Sequence, residues 1–405
     1  MPAYSGKFQY LDVSGAPVQQ GPCEFSFDTE TAILTPASGA PLAFDLGDVD
    51  VLSPVGWELT LRLADGARIQ LRQFGAAFSR LSADLTAAWR DRTVRCLLLE
   101  DLAEVARYTA IANGAPAEIR IYGSNLAVLP LDGRPLQWRL AEVDSIAFDN
   151  SAYCYRLHSG ADELAVTKLG QKTGEFGDRL RGAWDALRRR SAEVLHQTFP
   201  FLDPIPLQRL VALAPEGRSV KLASLATVHP KLPDALIARA VNPAHKPYFD
   251  SLKARTAADS LMTGFKFVRP DEEAGDDSEA SSDPGDAGAE AESQPIFFWF
   301  FFPLAGRDIA AWEAASGTGR ATYFFRAPQP VEESIARLTR GLALVNFRRE
   351  PVYLPDTSLE QQPRFHRYAI GSRKLPELNG LRAAFLGRAI HSSVEEWEQQ
   401  VSQIA

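Results

Sequence analysis

The first half of the chain contains an internal repeat, and no other feature constrains the fold as strongly. A shift of 94 residues aligns Glu24 with Glu118, Pro36 with Pro130, Gly39 with Gly133, Pro41 with Pro135, Val49 with Val143, and Gly66 with Gly160. After one residue inserted in the second copy, a shift of 95 aligns Gly75 with Gly170 and Trp89 with Trp184. Glycine and proline mark turns whose backbone few other residues adopt. The sequence therefore predicts a duplication, with a first repeat at about residues 1–92 and a second repeat at about residues 105–190.

In each repeat, the spacing of the apolar residues changes once, from the alternation of a strand to the spacing of a helix. In the first repeat, Trp57, Leu59, Leu61 and Leu63 alternate with polar residues, which is typical of a strand with one buried face. After Gly75 the spacing becomes helical, and the apolar positions are Phe78, Leu81, Leu85 and Trp89. The second repeat has the same change, and its helical positions are Phe176, Leu180, Trp184 and Leu187. We expect about seven short antiparallel strands closed by one amphipathic helix in each repeat.

Seven short strands followed by one helix in about 90 residues resemble the pleckstrin-homology-like (PH-like) fold. The resemblance implies a split β-barrel whose open end is plugged by the helix, with Trp89 and Trp184 as the plugging aromatic residues. The expected fold class is α+β and rich in β-structure, with two such barrels and a C-terminal α+β domain that contains a small antiparallel sheet. The expected domains are residues 1–95, 104–195 and 198–405.

The resemblance does not carry lipid-headgroup binding to this chain. Headgroup-binding members hold phosphates with basic residues on the first two strands and the loop between them. The loop at residues 14–22 contains no basic residue, and the second repeat offers only Arg120. Many members bind proteins instead, through a strand edge or the groove beside the helix. Tandem members that carry acidic stretches include histone chaperones, so a basic protein is one class of partner that this resemblance leaves open.

The net charge of −8 is concentrated in one segment. Ten acidic residues and no basic one stand between Asp271 and Glu292, and without them the net charge becomes +2. The segment has no aromatic or large aliphatic residue, so it cannot bury enough apolar surface to offset the entropy cost of ordering. We expect a disordered acidic loop at residues 271–294 within the C-terminal domain.

The C-terminal half has no repeat. Helices are predicted at residues 219–228, 232–241, 248–261, 331–344, 381–391 and 394–404, and strands at residues 263–268, 296–302 and 321–326. The strand that begins at Ile296 is apolar at every position, which is typical of a central strand buried on both faces. An exposed aromatic patch is the alternative interpretation.

No catalytic or metal-binding motif is present. The chain has no GxGxxG, GxxxxGK[ST], HExxH or GxSxG sequence, its six histidines lack metal-ligand spacing, and its three cysteines form no CxxC. We expect no cofactor, no metal and no disulfide. Two binding sites are candidates. Arg188, Arg189 and Arg190 either cap a helix C-terminus or contact an anionic surface, and His366 with Tyr368 either lines a pocket or lies on an ordinary surface strand or loop.

These features favour a non-catalytic protein-binding or scaffolding protein. The alternatives are an enzyme, which a deep polar pocket lined by His229, His245, His366 or Tyr368 would favour, and a peripheral binder of anionic membrane lipid. A protein partner is expected, nucleic acid is not, and the oligomeric state is open. The chain shows no secretory signal and no apolar stretch of membrane-spanning length. With 34 arginines to 9 lysines, we expect a soluble, cytoplasmic protein from a GC-rich, bacterial genome.

Overall fold

A computed structural model describes residues 3–97, 102–131, 133–160, 162–267, 296–315 and 320–405. The acidic loop predicted at residues 271–294 lies outside these ranges. Contacts within the chain define two compact units: unit 1 is Met1–Trp184 with Pro355–Pro376, and unit 2 is Asp185–Leu354 with Glu377–Ala405. This division places a short segment from the C-terminal half, Pro355–Pro376, with the repeats, whereas the sequence predicted one C-terminal domain from residue 198.

The first repeat folds into seven strands, one helix and short 3-10 turns. The elements are β1 (Ala3–Leu11), β2 (Pro17–Phe27), β3 (Thr31–Pro36), β4 (Leu42–Asp45), β5 (Val49–Val55), β6 (Glu58–Leu63), β7 (Arg68–Arg72) and α1 (Phe78–Cys96). The strands pair antiparallel in the order β4-β3-β2-β1-β7-β6-β5. Their inward side chains, among them Phe8, Phe25 and Leu61, form one core with Leu85 and Trp89 of α1. The helix therefore closes the core of the sheet, as its apolar spacing predicted.

The second repeat has the same elements in the same order. They are β8 (Glu104–Ala112), β9 (Ala115–Tyr122), β10 (Asn125–Pro130), β11 (Leu136–Arg139), β12 (Ser145–Asp149), β13 (Cys154–Ser159), β14 (Asp162–Thr167) and α2 (Thr173–Thr198). The sheet order is β11-β10-β9-β8-β14-β13-β12, which matches the first sheet strand for strand. Both sheets are antiparallel, so the helix-and-sheet composition of an α+β fold is confirmed.

Paired positions in the two repeats have the same backbone conformation. At the junction between the last strand and the helix, Gln73 and Lys168 have φ values of 61° and 56°, and Gly75 and Gly170 have φ values of 56° and 61°. Left-handed backbone is costly for a residue with a side chain, so its recurrence at Gln73 and Lys168 reflects a shared turn rather than chance. The turn directs the chain from the sheet into the helix in both repeats.

Unit 2 is built around a six-stranded antiparallel sheet with the order β15-β16-β17-β18-β19-β20. Its strands are β15 (Val220–Lys221), β16 (Met262–Phe267), β17 (Ile296–Pro303), β18 (Ile309–Ala314), β19 (Ala321–Arg326) and β20 (Phe385–Ile390). The remaining helices of the chain are α3 (Pro204–Leu213), α4 (Leu232–Ala240), α5 (Lys246–Arg255), α6 (Val331–Leu344), α7 (Glu350–Tyr353), α8 (Asp356–Gln361), α9 (Pro363–Lys374), α10 (Pro376–Ala384) and α11 (Val394–Ile404). No helix in these described ranges is long and apolar enough to cross a membrane.

Strand β17 is buried on both of its faces. Phe300 and Phe302 join a core with residues of α3, α4, α5 and α11. Trp299 points to the other face, where its ring centre lies 4.1 Å from that of Phe347 and its indole donates to Ser219 Oγ. The prediction of a central strand is confirmed, and the alternative of an exposed aromatic patch is wrong.

Two predicted helices of the C-terminal half are replaced in part by strands, and the helix predicted at residues 248–261 ends at Arg255. Residues 219–228 form the short strand β15 and a 3-10 turn at Leu222–Thr227. In residues 381–391 the helix ends at Ala384, and β20 follows because it pairs with β19. Pairing with a sheet edge outweighs local helix preference, which is worth less than about 1 kcal/mol per residue.

Candidate binding surfaces

The predicted arginine cluster lies within a helix rather than at its end. Arg188, Arg189 and Arg190 are exposed on α2, which continues to Thr198. The helix dipole acts only on the last turn, so the capping interpretation is wrong. The guanidinium carbon of Arg190 lies 5.5 Å from the ring centre of Phe267 in unit 2. This arginine therefore covers an aromatic side chain.

His366 and Tyr368 lie on helix α9 rather than on a strand or loop. His366 Nε2 is 3.7 Å from Asp45 Oδ2, at the end of β4. The Tyr368 side chain is buried, and its hydroxyl accepts a hydrogen bond of 3.0 Å from Arg367 Nη2. Both residues belong to unit 1. His366 therefore contacts the first repeat, and Tyr368 is buried within the same unit.

Helix α9 is bound to the short turn between β4 and β5. Lys374 is buried, and its Nζ donates to the Val49 carbonyl at 3.0 Å and to Asp50 Oδ1 at 3.2 Å. Arg373 forms an ion pair with Asp48. Ile370 is fully buried and reaches Gly47 so closely that a Cβ on that glycine would lie 2.8 Å from Ile370 Cδ1. The first repeat therefore already holds one helix of its own chain beside α1.

Asp45 anchors the same turn to α1. Arg92 binds its carboxylate through two hydrogen bonds, Nε to Oδ1 at 2.9 Å and Nη2 to Oδ2 at 2.6 Å. Burial is the largest single influence and lowers the pKa of the Arg92 guanidinium, but the hydrogen bonds to Asp45 and the nearby negative charges, among them Asp45 and Glu30, together raise the pKa above its ordinary value. A bidentate, partly buried pair of this kind is rigid. Asp45 is thus a structural carboxylate.

A second ion-pair cluster joins the two repeats within unit 1. Glu118 on β9 binds Arg90 of α1 at 3.1 Å and Arg120 at 2.7 Å, and Arg120 also binds Asp91 of α1 at 2.7 Å. The Arg120 side chain is only 4% exposed. The one basic residue that the second repeat could have offered to a lipid headgroup is therefore occupied.

A polar cluster in unit 2 has the residue types of a catalytic site. Thr322 on β19 donates to Glu313 Oε2 at 2.6 Å and accepts from Trp397 Nε1 at 2.9 Å. His391 Nε2 lies 3.3 Å from Glu313 Oε1, and Tyr248 stacks on the His391 ring at 4.2 Å. The Thr322 residue is 0% exposed. A substrate cannot reach a hydroxyl that is buried and already hydrogen-bonded, so the contacts serve to fix α5 and α11 on the sheet.

An open apolar cleft lies at one end of the first sheet. It has a volume of about 600 Å³ and is lined by Trp57, Glu58, Arg72, Gln73, Phe74, Gly75, Ala76 and Phe78. Trp57 was predicted to share the buried face of β6 with Leu59. Instead it stands in the two-residue turn between β5 and β6, where Gly56 has a φ of 61°. Its side chain is 69% exposed and its ring lies 5.5 Å from that of Phe78.

The possible metal ligands and the cysteine thiols were candidates for chemistry in the part of the chain that the structure describes. There, no group of three or more His, Cys, Asp or Glu side chains is placed to hold a metal ion. Cys23, Cys96 and Cys154 are unpaired and buried. Burial raises the pKa of the Cys23 thiol to about 11 and that of Cys96 to about 12, which disfavours the reactive thiolate.

The similarity between this chain and known proteins is weak. No protein family matches the chain, and no curated protein does. Among solved structures, the chain is similar to "The pleckstrin homology (PH) domain of USP37", with 16% identity over 22% of this chain and 97% of that one, at a TM-score of 0.18. A similarity at this level assigns neither a fold family nor a function.

Proposed function

We propose that the chain is a non-catalytic protein-binding or scaffolding protein built on two tandem PH-like domains that arose by duplication. The shared strand order and the left-handed junctions at Gly75 and Gly170 support the tandem domains. So does one hydrogen bond in each repeat, from Trp89 Nε1 to the Val49 carbonyl at 2.8 Å and from Trp184 Nε1 to the Val143 carbonyl at 3.1 Å.

The observation that carries the binding function is the cleft beside Trp57. Its volume of about 600 Å³ falls within the range of ordinary binding sites. A tryptophan with 69% of its surface exposed does little for the core, and tryptophan is one of the residue types enriched among the residues that dominate binding energy. The occupant is a protein segment whose side chains enter the cleft.

Capture from a cell lysate with matched variants tests this function. The full chain, its Trp57→Ser variant and its Tyr153→Ala variant are used as bait, and captured proteins are then purified and titrated by calorimetry. Tyr153 is the control because it is also 69% exposed but stands in the second repeat. We expect a partner that binds the wild type and Tyr153→Ala alike and binds Trp57→Ser at least about tenfold more weakly.

Thermal unfolding must accompany the titrations. Exposed residues change the free energy of unfolding by roughly 0.5 kcal/mol or less, so both variants should melt with the wild type. If every captured partner binds Trp57→Ser as tightly as the wild type, the cleft is not a protein-binding site.

A further inference from the structure

Four cations share the outward face of three neighbouring strands in the first repeat. Lys7 on β1, Arg62 on β6, and Arg68 and Arg72 on β7 alternate with the core residues of their strands. Lys7, Arg62 and Arg68 are exposed, and Arg72 is half-buried at the wall of the Trp57 cleft. We call this set the basic strip.

The strand register sets these cations against one another. Lys7 lies directly opposite Arg72, and Arg62 lies directly opposite Arg68. Side chains in such positions have Cβ atoms about 4.5–5.5 Å apart, and like charges there are destabilising. Two like-charge pairs on adjacent strands therefore cost stability in the free protein, and a bound anion would remove that cost.

The basic strip differs from seven other arginines of the repeats. Carboxylates pair with Arg90, Arg92, Arg95, Arg107, Arg120, Arg139 and Arg156. Within the described residues, no carboxylate lies within ion-pair distance of Lys7, Arg62, Arg68 or Arg72. Glu58 stands opposite Arg72, but its Oε1 accepts from Thr60, and Arg72 donates to Gln9 at 3.1 Å.

The basic strip and the apolar cleft form one continuous surface, because Arg72 belongs to both. We propose that the protein partner of this surface is an acidic peptide segment with a bulky apolar side chain. The apolar side chain enters the cleft between Trp57 and Phe78, and the flanking carboxylates lie along the basic strip. This assignment rests on the proposed binding function and names the chemistry of its partner.

The shape of the surface favours a peptide over a lipid bilayer or a nucleic acid. A cleft of about 600 Å³ walled by Phe74, Phe78 and Trp57 is concave and takes single side chains, whereas a bilayer presents a flat surface. Single-stranded nucleic acid is bound by aromatic side chains spread between cations, whereas the outward face of β7 has Gln70 between its two arginines.

Fluorescence anisotropy with a labelled synthetic peptide tests the assignment on the full chain. The probe is a short peptide of Asp and Glu with one Phe and one Leu. Its two controls have Asn and Gln in place of the acids, or Ser in place of Phe and Leu. We expect binding of the acidic probe that weakens as salt screens the charges, and at least about tenfold weaker binding of each control.

Charge variants locate the binding. We expect Arg62→Gln with Arg68→Gln to weaken binding about threefold to tenfold, since each exposed ion pair is worth little by itself. Arg188→Gln with Arg189→Gln removes the same charge from unit 2 and should leave binding unchanged. Because the like-charge pair is relieved, Arg68→Gln alone should melt at or above the wild-type temperature while binding more weakly, which an arginine with a structural role would not do.

Three results would overturn the assignment. They are no binding of the acidic probe at low salt, equal binding by the Arg62→Gln, Arg68→Gln variant, and tighter binding of phosphatidylserine vesicles or duplex DNA with the same dependence on Arg62 and Arg68. If the probe fails but a captured partner still depends on Trp57, only the acidic chemistry is wrong. If the probe depends on Arg62 and Arg68 but not on Trp57, the role of the cleft is wrong.

Discussion

One carbonyl oxygen joins three parts of unit 1. Val49 is fully buried at the start of β5, and its oxygen accepts from Trp89 of α1 and from Lys374 of α9. Both lone pairs of this oxygen are therefore used, which satisfies a buried acceptor without water. In the second repeat the Val143 carbonyl accepts from Trp184 in the same way. The bond belongs to the shared fold, and the lysine is particular to the first repeat.

Replacing each tryptophan by phenylalanine measures this bond. We expect Trp89→Phe to lower the free energy of unfolding by about 1–3 kcal/mol, because a buried acceptor loses a partner and some packing is lost. Trp184→Phe should cost less, since Trp184 is only half-buried. Urea unfolding checks both values. An equal or larger cost at Trp184 would contradict the role of burial.

The burial of Cys96 predicts how the stability of the fold changes with pH. Because burial raises the pKa of Cys96 from 9.0 to about 12, the folded state holds a proton that the unfolded state releases above about pH 9. The stabilisation from Cys96 is therefore complete below pH 9 and is lost as the pH rises toward 12. Urea unfolding at increasing pH should show this loss, and Cys96→Ser should flatten it.

Thiol labelling checks the same burial without a titration. At pH 8 we expect iodoacetamide to leave Cys23 and Cys96 unmodified in the native chain and to modify both in urea, as read by mass spectrometry. A Gln361→Cys variant supplies an exposed thiol that should react under native conditions. Native labelling of Cys96 at the rate of that control would show that its surroundings are not closed.

At the scale of elements, helix α9 shows where the sequence was insufficient. The spacing of apolar residues from Arg364 to Tyr368 does not indicate which part of the chain this segment packs against. Its helix makes contacts that are distant in sequence, since Lys374 binds Val49 across 325 residues. Residue types such as Lys and Arg predict exposure, yet Lys374 is buried because Val49 and Asp50 supply acceptors. Such pairing depends on the fold and leaves no local signal.

Truncating the apolar centre of α9 tests its attachment. Ile370 is fully buried against Gly47, so Ile370→Ala should lower the free energy of unfolding of unit 1 by about 2–5 kcal/mol. Gln361→Ala, on the exposed surface of α8, should change it little. Hydrogen exchange should quicken in α9 in the first variant only. Unchanged exchange would mean that Ile370 does not anchor the helix.

At the cleft, the sequence contained a local signal, but the pattern of alternation was extended one residue too far. Alternation correctly placed Leu59, Leu61 and Leu63 in the core, but it also extended the buried face to Trp57. The strand begins at Glu58, one residue later than predicted, because Gly56 and Trp57 form the turn. A glycine directly before a bulky residue was the available signal, since a two-residue hairpin turn favours glycine at its first central position.

At the scale of the whole molecule, repetition was the part of the fold that could be predicted. The paired turns and tryptophans recur in the structure at the predicted register, because a turn is a local property of a few residues. The central strand β17 was predictable for a similar reason, since only a strand covered on both faces can be apolar throughout. The division of the chain into two units was harder to predict from the sequence. Pro355–Pro376 belongs to unit 1 through contacts with Asp45, Asp48 and Asp50, which are distant in sequence.

Because Pro355–Pro376 packs in unit 1, its contribution to the stability of the repeats can be tested by removing it and adding it back as a peptide. A truncated chain of residues 1–195 lacks Pro355–Pro376, so it leaves Val49 without the Lys374 donor and exposes the surface that Ile370 covers. We expect its melting temperature to rise when a synthetic peptide of residues 355–376 is added, because a ligand that binds only the folded state stabilises it by mass action. The same peptide with Ile370→Asp and Lys374→Glu should have no effect, because both contacts are then lost. If neither peptide changes the melting temperature, the first repeat does not need α9 to complete its surface.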